Sequence, residues 1–183
     1  MFPKHTRVYV LLLLWDGENP ALRILTEVHE LGIVLASIYD FEVEIYRTPN
    51  NGSHKKLNRK ILDFIELGDD NKEDLKFPCW TSRSNHRAPT RNMVKWGGIQ
   101  NSLKEAQPDV LLLLNCCSSG TANIGVGHET TEFIAACGFN NLASGVGPDS
   151  CTYALTIELR LLSLYPKFTA AMLSNGIPCR IQN

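Results

Sequence analysis

The stretch DVLLLLNCCSSG, Asp109 to Gly120, decides how this chain is read. Its first half, Val110 to Leu114, is an unbroken apolar run of strand length. A run without polar alternation has no wet face, so the spacing predicts a strand covered on both sides of a sheet. Its second half is two adjacent cysteines, two serines and a glycine, residues that favour turns. The chain therefore carries a thiol just past the end of a buried strand.

Working outward, the same grammar recurs. Arg7–Trp15 (RVYVLLLLW) reads as a second doubly buried strand. The segment ENPALRILTEVHELGIVLASI reads as a helix, with Asn19 and Pro20 placed as N-cap and first helical residue and Leu22, Leu25, Val28 and Leu31 on one face. Phe41–Tyr46 alternates, with Phe41, Val43 and Ile45 inward, and TPNNGS closes it. Leu57, Ile61, Phe64 and Ile65 mark a second helix. Trp96, Ile99, Leu103 and Ala106 mark a third, leading into the Val110–Leu114 strand. Thr131–Cys137 reads as a strand, SCTYALTIELRLLSLY as a helix, and FTAAML as a short last helix. Strands alternating with helices predict an α/β sandwich with a mostly parallel sheet and helices on both faces. In such sheets ligands gather beyond the carboxyl ends of the strands, which is where Cys116 and Cys117 fall.

Composition bounds the rest. The chain has 183 residues, 44% hydrophobic and 20% charged, with net charge −1, which predicts one domain over residues 1–183 and offers no charge bias toward nucleic acid or membrane. Lys4, His5 and Arg7 before VYVLLLLW imitate a signal peptide, but the apolar run is short and DGENPA offers no small-x-small cleavage site. The reading is a first strand and a cytoplasmic protein. The six cysteines show no C-x-x-C pair and no metal-ligand spacing, so reduced thiols are expected, with no metal and no cofactor. Residues 75–104 hold Lys76, Arg83, Arg87, Arg91, Lys95 and Lys104 with Trp80 and Trp96 among them. Irregular spacing makes this a solvated loop anchored by its tryptophans rather than a nucleic-acid surface. GVG at 145–147 and GVGH at 125–128 lack the strand–loop–helix context of phosphate loops and read as plain turns.

DVLLLLNCCSSG resembles the strand and nucleophile turn of the caspase-like cysteine peptidases, metacaspases included, and is closest to the version in fungal caspase-like domains. WGGIQNSLKEAQPDVLLLLNCC resembles the family's helix-plus-strand entry, TEFIAACGFNNLASGVGPDSCTYAL its next strand and helix, and VYVLLLLWDGENPALRILTEVHEL its opening. The resemblance implies a three-layer caspase-like sandwich and a peptide or protein as substrate or partner. It puts Cys117 at the nucleophile, Cys116 at a variable position, Ser119 and Gly120 at the closing Ser-Gly, and Asn115 at an aspartate that helps bind a basic P1 residue in metacaspases. Asn115 and Gly120 are thus the substrate-binding candidates, and asparagine keeps the hydrogen bonds but not the charge. Some metacaspases use calcium; no acidic cluster in this chain offers a site.

The same resemblance implies a histidine in an H-G dipeptide, ending the strand before the nucleophile strand, about 50 residues before the cysteine. Residues 55–85 contain no histidine. His54 precedes lysine and His86 precedes Arg87, and neither follows an apolar strand. His86 remains a base only by reaching in from a segment that Arg87 and Pro89 mark as a solvated loop. A thiol without a hydrogen-bonded base stays near its ordinary pKa and lacks a proton donor for the leaving group. The expectation is a caspase-like cysteine endopeptidase domain that is degenerate; the alternative is a pseudopeptidase acting as a binding module. The central strand that carries the histidine in the family is deleted or irregular here. Three outcomes stay open: its neighbours close up, LKFPCW substitutes with Pro78 weakening its centre, or the gene reading lacks a segment.

Overall fold

In the computed structural model, residues 5–16, 23–68, 72–81, 94, 96–106, 108–115, 131–135, 147 and 150–181 are described. Among the described residues, five strands form one sheet: β1 (Val8–Trp15), β2 (Glu42–Thr48), β3 (Leu75–Thr81), β4 (Asp109–Asn115) and β5 (Thr131–Ala135), in the order β2-β1-β3-β4-β5. Each neighbouring pair is parallel. Five described helices cover it: α1 (Ile24–Tyr39), α2 (Ser53–Ile65), α3 (Trp96–Lys104), α4 (Cys151–Leu162) and α5 (Ala170–Ile181). The architecture is a three-layer α/β sandwich, as the alternation of periods predicts.

The sheet divides the core in two by the parity of its side chains. Val8, Val10, Leu12 and Leu14 of β1 face α1, α4 and α5, meeting Val28, Leu31 and Leu35, Leu155 and Leu159, and Leu173 and Ile177. Tyr9, Leu11 and Leu13 face α2 and α3, meeting Leu57, Ile61 and Phe64, and Ile99 and Leu103. A strand with two dry faces needs apolar residues at every position, which explains the run Val8–Leu14. β2, at the sheet's edge, keeps the alternation expected of it, with Phe41 buried, Val43 and Ile45 half-buried and Glu42 and Glu44 exposed.

Helix ends depart from the sequence reading in two places. Asn19, Pro20 and Leu22 lie outside the described residues, but Arg23 adopts a left-handed conformation at φ 52°, so α1 begins at Ile24. Ile24, not Leu25, lies on the buried face with Val28, Leu31 and Leu35, and Leu25 is exposed. The last helix is longer than FTAAML and runs to Ile181. The Thr131–Cys137 strand is described as far as Ala135.

The segment expected to be a gap or an irregular substitute is the central strand. Leu75–Thr81 lies between β1 and β4, buried at every residue. Its register with β1 is continuous from Val8↔Leu75 to Leu13↔Trp80, whereas its register with β4 skips Phe77 and Pro78. The irregularity is thus confined to one side, at the residue with no N–H to donate. The neighbours do not close up. This also corrects the reading of the basic run from residue 75: Lys76 and Trp80 belong to a buried strand, and Lys76 is fully buried.

Lys76 is held rather than merely enclosed. Its ammonium lies 3.9 Å from the centre of the Tyr9 ring, its register partner on β1, and 5.7 Å from that of Phe64 on α2. It donates a hydrogen bond to the Leu67 carbonyl, just past the end of α2. A cation there meets both the aromatic faces and the negative pole of the helix. The turn depends on Gly68, at φ +82°, where a Cβ would stand 2.7 Å from Asp74 Oδ2 and 2.8 Å from the Tyr9 hydroxyl.

Candidate functional site

Because all five strands are parallel, their carboxyl ends share one edge. β1 ends at Trp15 beside Thr48 of β2; Thr81 of β3 pairs with Asn115 of β4; Leu114 pairs with Ala135 of β5. Asn115 is the last residue of β4, as the turn-forming tail predicts, and Cys117 follows two positions later in the chain. Cys116, Cys117, Ser119, Gly120, His86 and His128 lie outside the described residues.

Next to Asn115 the edge is floored by aromatic rings. Trp15 and Trp80 meet edge to face, with centroids 5.9 Å apart and planes at 83°. Trp80 is buried, and Thr81 ends the strand. β3 thus reaches the edge with an indole and a threonine, and no imidazole belongs to it.

The described histidines divide by position. His5 precedes β1, at the opposite edge, and His29 is exposed on α1. His54 occupies the first turn of α2, which starts back from the end of β2 and therefore begins at the carboxyl edge. Its ring packs toward α3, with Cε1 3.6 Å from where a Cβ on Gly98 would stand. Its Nδ1 is buried without a hydrogen-bond partner, as are Thr48 Oγ1 and, one turn along α2, Asn58 Oδ1. These three atoms are closed to solvent, although His54 and Asn58 as whole side chains are half-buried. The sequence reading weighs His54 and sets it aside because it precedes Lys55 and follows no apolar strand, and it does not single out Thr48 or Asn58. The four-residue spacing of His54 and Asn58 was the available signal.

On the other face of the same edge, Glu27 in the first turn of α1 binds the turn that precedes α4. Its carboxylate accepts from the Gly147 amide at 2.6 Å and from the Ser150 hydroxyl at 2.7 Å. Ser150 in turn caps α4, accepting from the Tyr153 amide at 3.0 Å. Gly147, at φ 100°, accepts from the Ser150 amide at 2.9 Å; the rest of GVG, and GVGH at 125–128, lie outside the described residues. The cap was legible in SCTY; the carboxylate 123 residues away was not.

Thiol chemistry depends on environment, and Cys79 shows how far burial can suppress it. Cys79 and Cys151 are both buried. Burial pushes the Cys79 thiol up to about 12, and a hydrogen bond with the Thr81 side chain offsets only part of that. Among the described residues no group of three or more His, Cys, Asp or Glu could hold a metal ion, and no helix is long and apolar enough to cross a membrane. Compared with known proteins, the chain matches no family model and no curated protein.

Proposed function

We propose that this chain is a caspase-like cysteine-peptidase domain with Cys117 in the nucleophile position, and that it is degenerate because no base serves that thiol. The reading rests on the resemblance of DVLLLLNCCSSG and its flanks. It is supported by the strand order, in which β4 ends with Asn115 at the edge where parallel sheets hold their ligands, with Cys117 two positions later in the sequence. One observation carries the degenerate part. β3, the strand beside β4, arrives at that edge as Trp80–Thr81, where the family places its histidine.

The chemical consequence is specific. A peptidase thiol needs a neighbour to take its proton and a donor for the leaving amine. Without them Cys117 keeps a thiol pKa of about 8.5 and binds without cutting. Asn115, neutral at the position of the family's aspartate, removes the charge that selects basic P1 residues, so a peptide held here is chosen by hydrogen bonding.

The test is direct. Purified protein is offered peptides ending in Arg, Lys or Asp, beside a Cys117→Ala control, and the alkylation rate of Cys117 is followed against pH. The expected outcome is no cleavage above the control and an apparent pKa near 8.5. Cleavage that depends on Cys117 overturns the degenerate reading, and His86→Ala then shows whether His86 is the base.

A further inference from the structure

At the edge opposite the candidate site, residues just before β1 reach across the sheet. His5 Nε2 lies 3.8 Å from Asp109 Oδ2, with side chains only 9% and 12% exposed. Asp109 opens β4, and β3 runs between β1 and β4, with Leu75 paired to Val8 on one side and to Asp109 on the other. The contact therefore spans the three central strands at their amino ends. Around it the backbone is stitched in the same direction. Thr6 N–H donates to the Glu73 carbonyl at 2.8 Å, the Thr6 hydroxyl to the Glu73 carboxylate at 3.0 Å, and Leu75 N–H to the Arg7 carbonyl at 2.9 Å.

His5 also lines a cavity of about 200 Å³, shared with Thr6, Arg7, Val8, Asp40, Phe41 and Glu42. The cavity gives the ring a route for water and protons. Among the described residues, the ionisable groups placed at this corner are Asp109 from β4, Asp40 and Glu42 at the cavity, and Glu73, which accepts from the Thr6 hydroxyl. Against them stands Arg7, which also lines the cavity and donates to the Tyr9 hydroxyl at 3.4 Å.

We propose that His5 and Asp109 form a pH-sensitive clasp that closes the amino edge of the sheet when His5 is protonated. Two effects compete at the ring. Burial disfavours the imidazolium, and carboxylates favour it. Asp109 is in direct contact and itself almost buried, so little water screens the pair. Among the described residues, the excess of carboxylates over cations tips the corner the same way. The clasp therefore raises the pKa of His5 above its free value of about 6.5. For a group raised on folding, the stabilisation is complete below the unfolded pKa and is lost as pH rises through the folded one. The clasp is closed below about pH 6.5 and opens through neutrality. Opening releases the Thr6–Glu73 stitch and loosens the cavity wall.

The experiment uses the full chain. The His5 ring is titrated by NMR, assigned by its absence in His5→Gln, and repeated in Asp109→Asn. The expected His5 pKa is about one unit above 6.5, falling to 6.5 or below in Asp109→Asn. Amide exchange at Thr6 supplies a second readout that does not require a stable variant at every pH. Its protection, corrected for intrinsic exchange, is expected to drop between pH 6 and 8 in the native chain by about tenfold and to stay flat in His5→Gln. A His5 pKa at or below 6.5 in the native chain, or one unmoved by Asp109→Asn, overturns the clasp. Equal Thr6 protection at both pH values does so as well.

Discussion

β3 and β4 are neighbours of equal length in the middle of one sheet, yet they are built from opposite materials. β4 places Val110, Leu111, Leu112 and Leu113 in the two cores with no polar side chain among them. β3 puts a lysine and a proline into the same depth. The difference teaches that burial is a property of what surrounds a position. Lys76 survives because Tyr9, Phe64 and the Leu67 carbonyl receive it, and Pro78 because the ladder toward β4 skips the place where its N–H would be. β4 has no such recipients, and its tolerance should be correspondingly narrow.

Exchanging the two chemistries breaks the comparison most severely. Leu113→Lys places an ammonium where the core offers hydrocarbon, and should cost more than about 5 kcal/mol, enough to prevent folding. Leu113→Ala should cost about 2–5 kcal/mol through the cavity it leaves. Lys76→Ala should fall in the same range, since it removes the stem and orphans the Leu67 carbonyl. Lys76→Met keeps the stem and spares the desolvation of a charge, so its cost should stay within about 2 kcal/mol of the native chain. Denaturant unfolding of the four variants decides the matter. If Leu113→Lys folds as well as Lys76→Met does, the environment of β3 is not special.

The sequence made these two strands unequally legible for the same reason. Val110–Leu114 is decided by its own residues, so a pattern of hydrophobicity finds it, and the turn signals after it locate Asn115 at the sheet edge. LKFPCWT is decided by residues far away in the chain. Tyr9 becomes the neighbour of Lys76 only once β1 and β3 pair, and Leu67 turns toward it only because Gly68 permits the turn. The same limit hid Glu27, whose partners at Gly147 and Ser150 lie at the start of another helix. Leu25 misled because steps of three (Leu22, Leu25, Val28, Leu31) drift off a helical face, whereas the buried Ile24, Val28, Leu31 and Leu35 step by four, three and four. What a residue pattern reports well is apolar periodicity; it does not report who will stand opposite a polar group.

The comparison extends to thiols. Cys79 is two residues from the end of β3, and Cys117 is two residues past the end of β4. Burial holds Cys79 neutral, its pKa pushed up to about 12. At pH 8 its thiolate fraction is therefore lower than that of an ordinary thiol by about three orders of magnitude. Mass-spectrometric alkylation of the native chain should label Cys117 and leave Cys79 untouched until the protein unfolds. The sign of the pH effect follows. In the unfolded chain the Cys79 thiol loses its proton near pH 8.5, and in the fold only near 12, so its contribution to stability is whole below about 8.5 and is lost as pH rises toward 12. In Cys79→Ala that alkaline loss should shrink. Rapid labelling of native Cys79 would mean that β3 opens locally, which its continuous ladder with β1 argues against.

The finest difference between the strands is a single missing donor. Pro78→Val restores an N–H on the side where β3 and β4 skip two pairs, and valine suits a doubly buried strand. A recovered backbone hydrogen bond contributes about 0.5–1.5 kcal/mol. Against it stands the rigidity that proline gives the unfolded chain, about 0.4–1 kcal/mol. The two nearly cancel, and the expected change in stability is within about 1 kcal/mol of zero. Exchange should discriminate where stability does not. The amide that Pro78→Val introduces should be protected as strongly as those of Leu112 and Leu113 if β4 closes on it. If it exchanges freely, the skip is set by the strand's twist rather than by the proline, and β3 is irregular on that side for a reason its sequence does not contain.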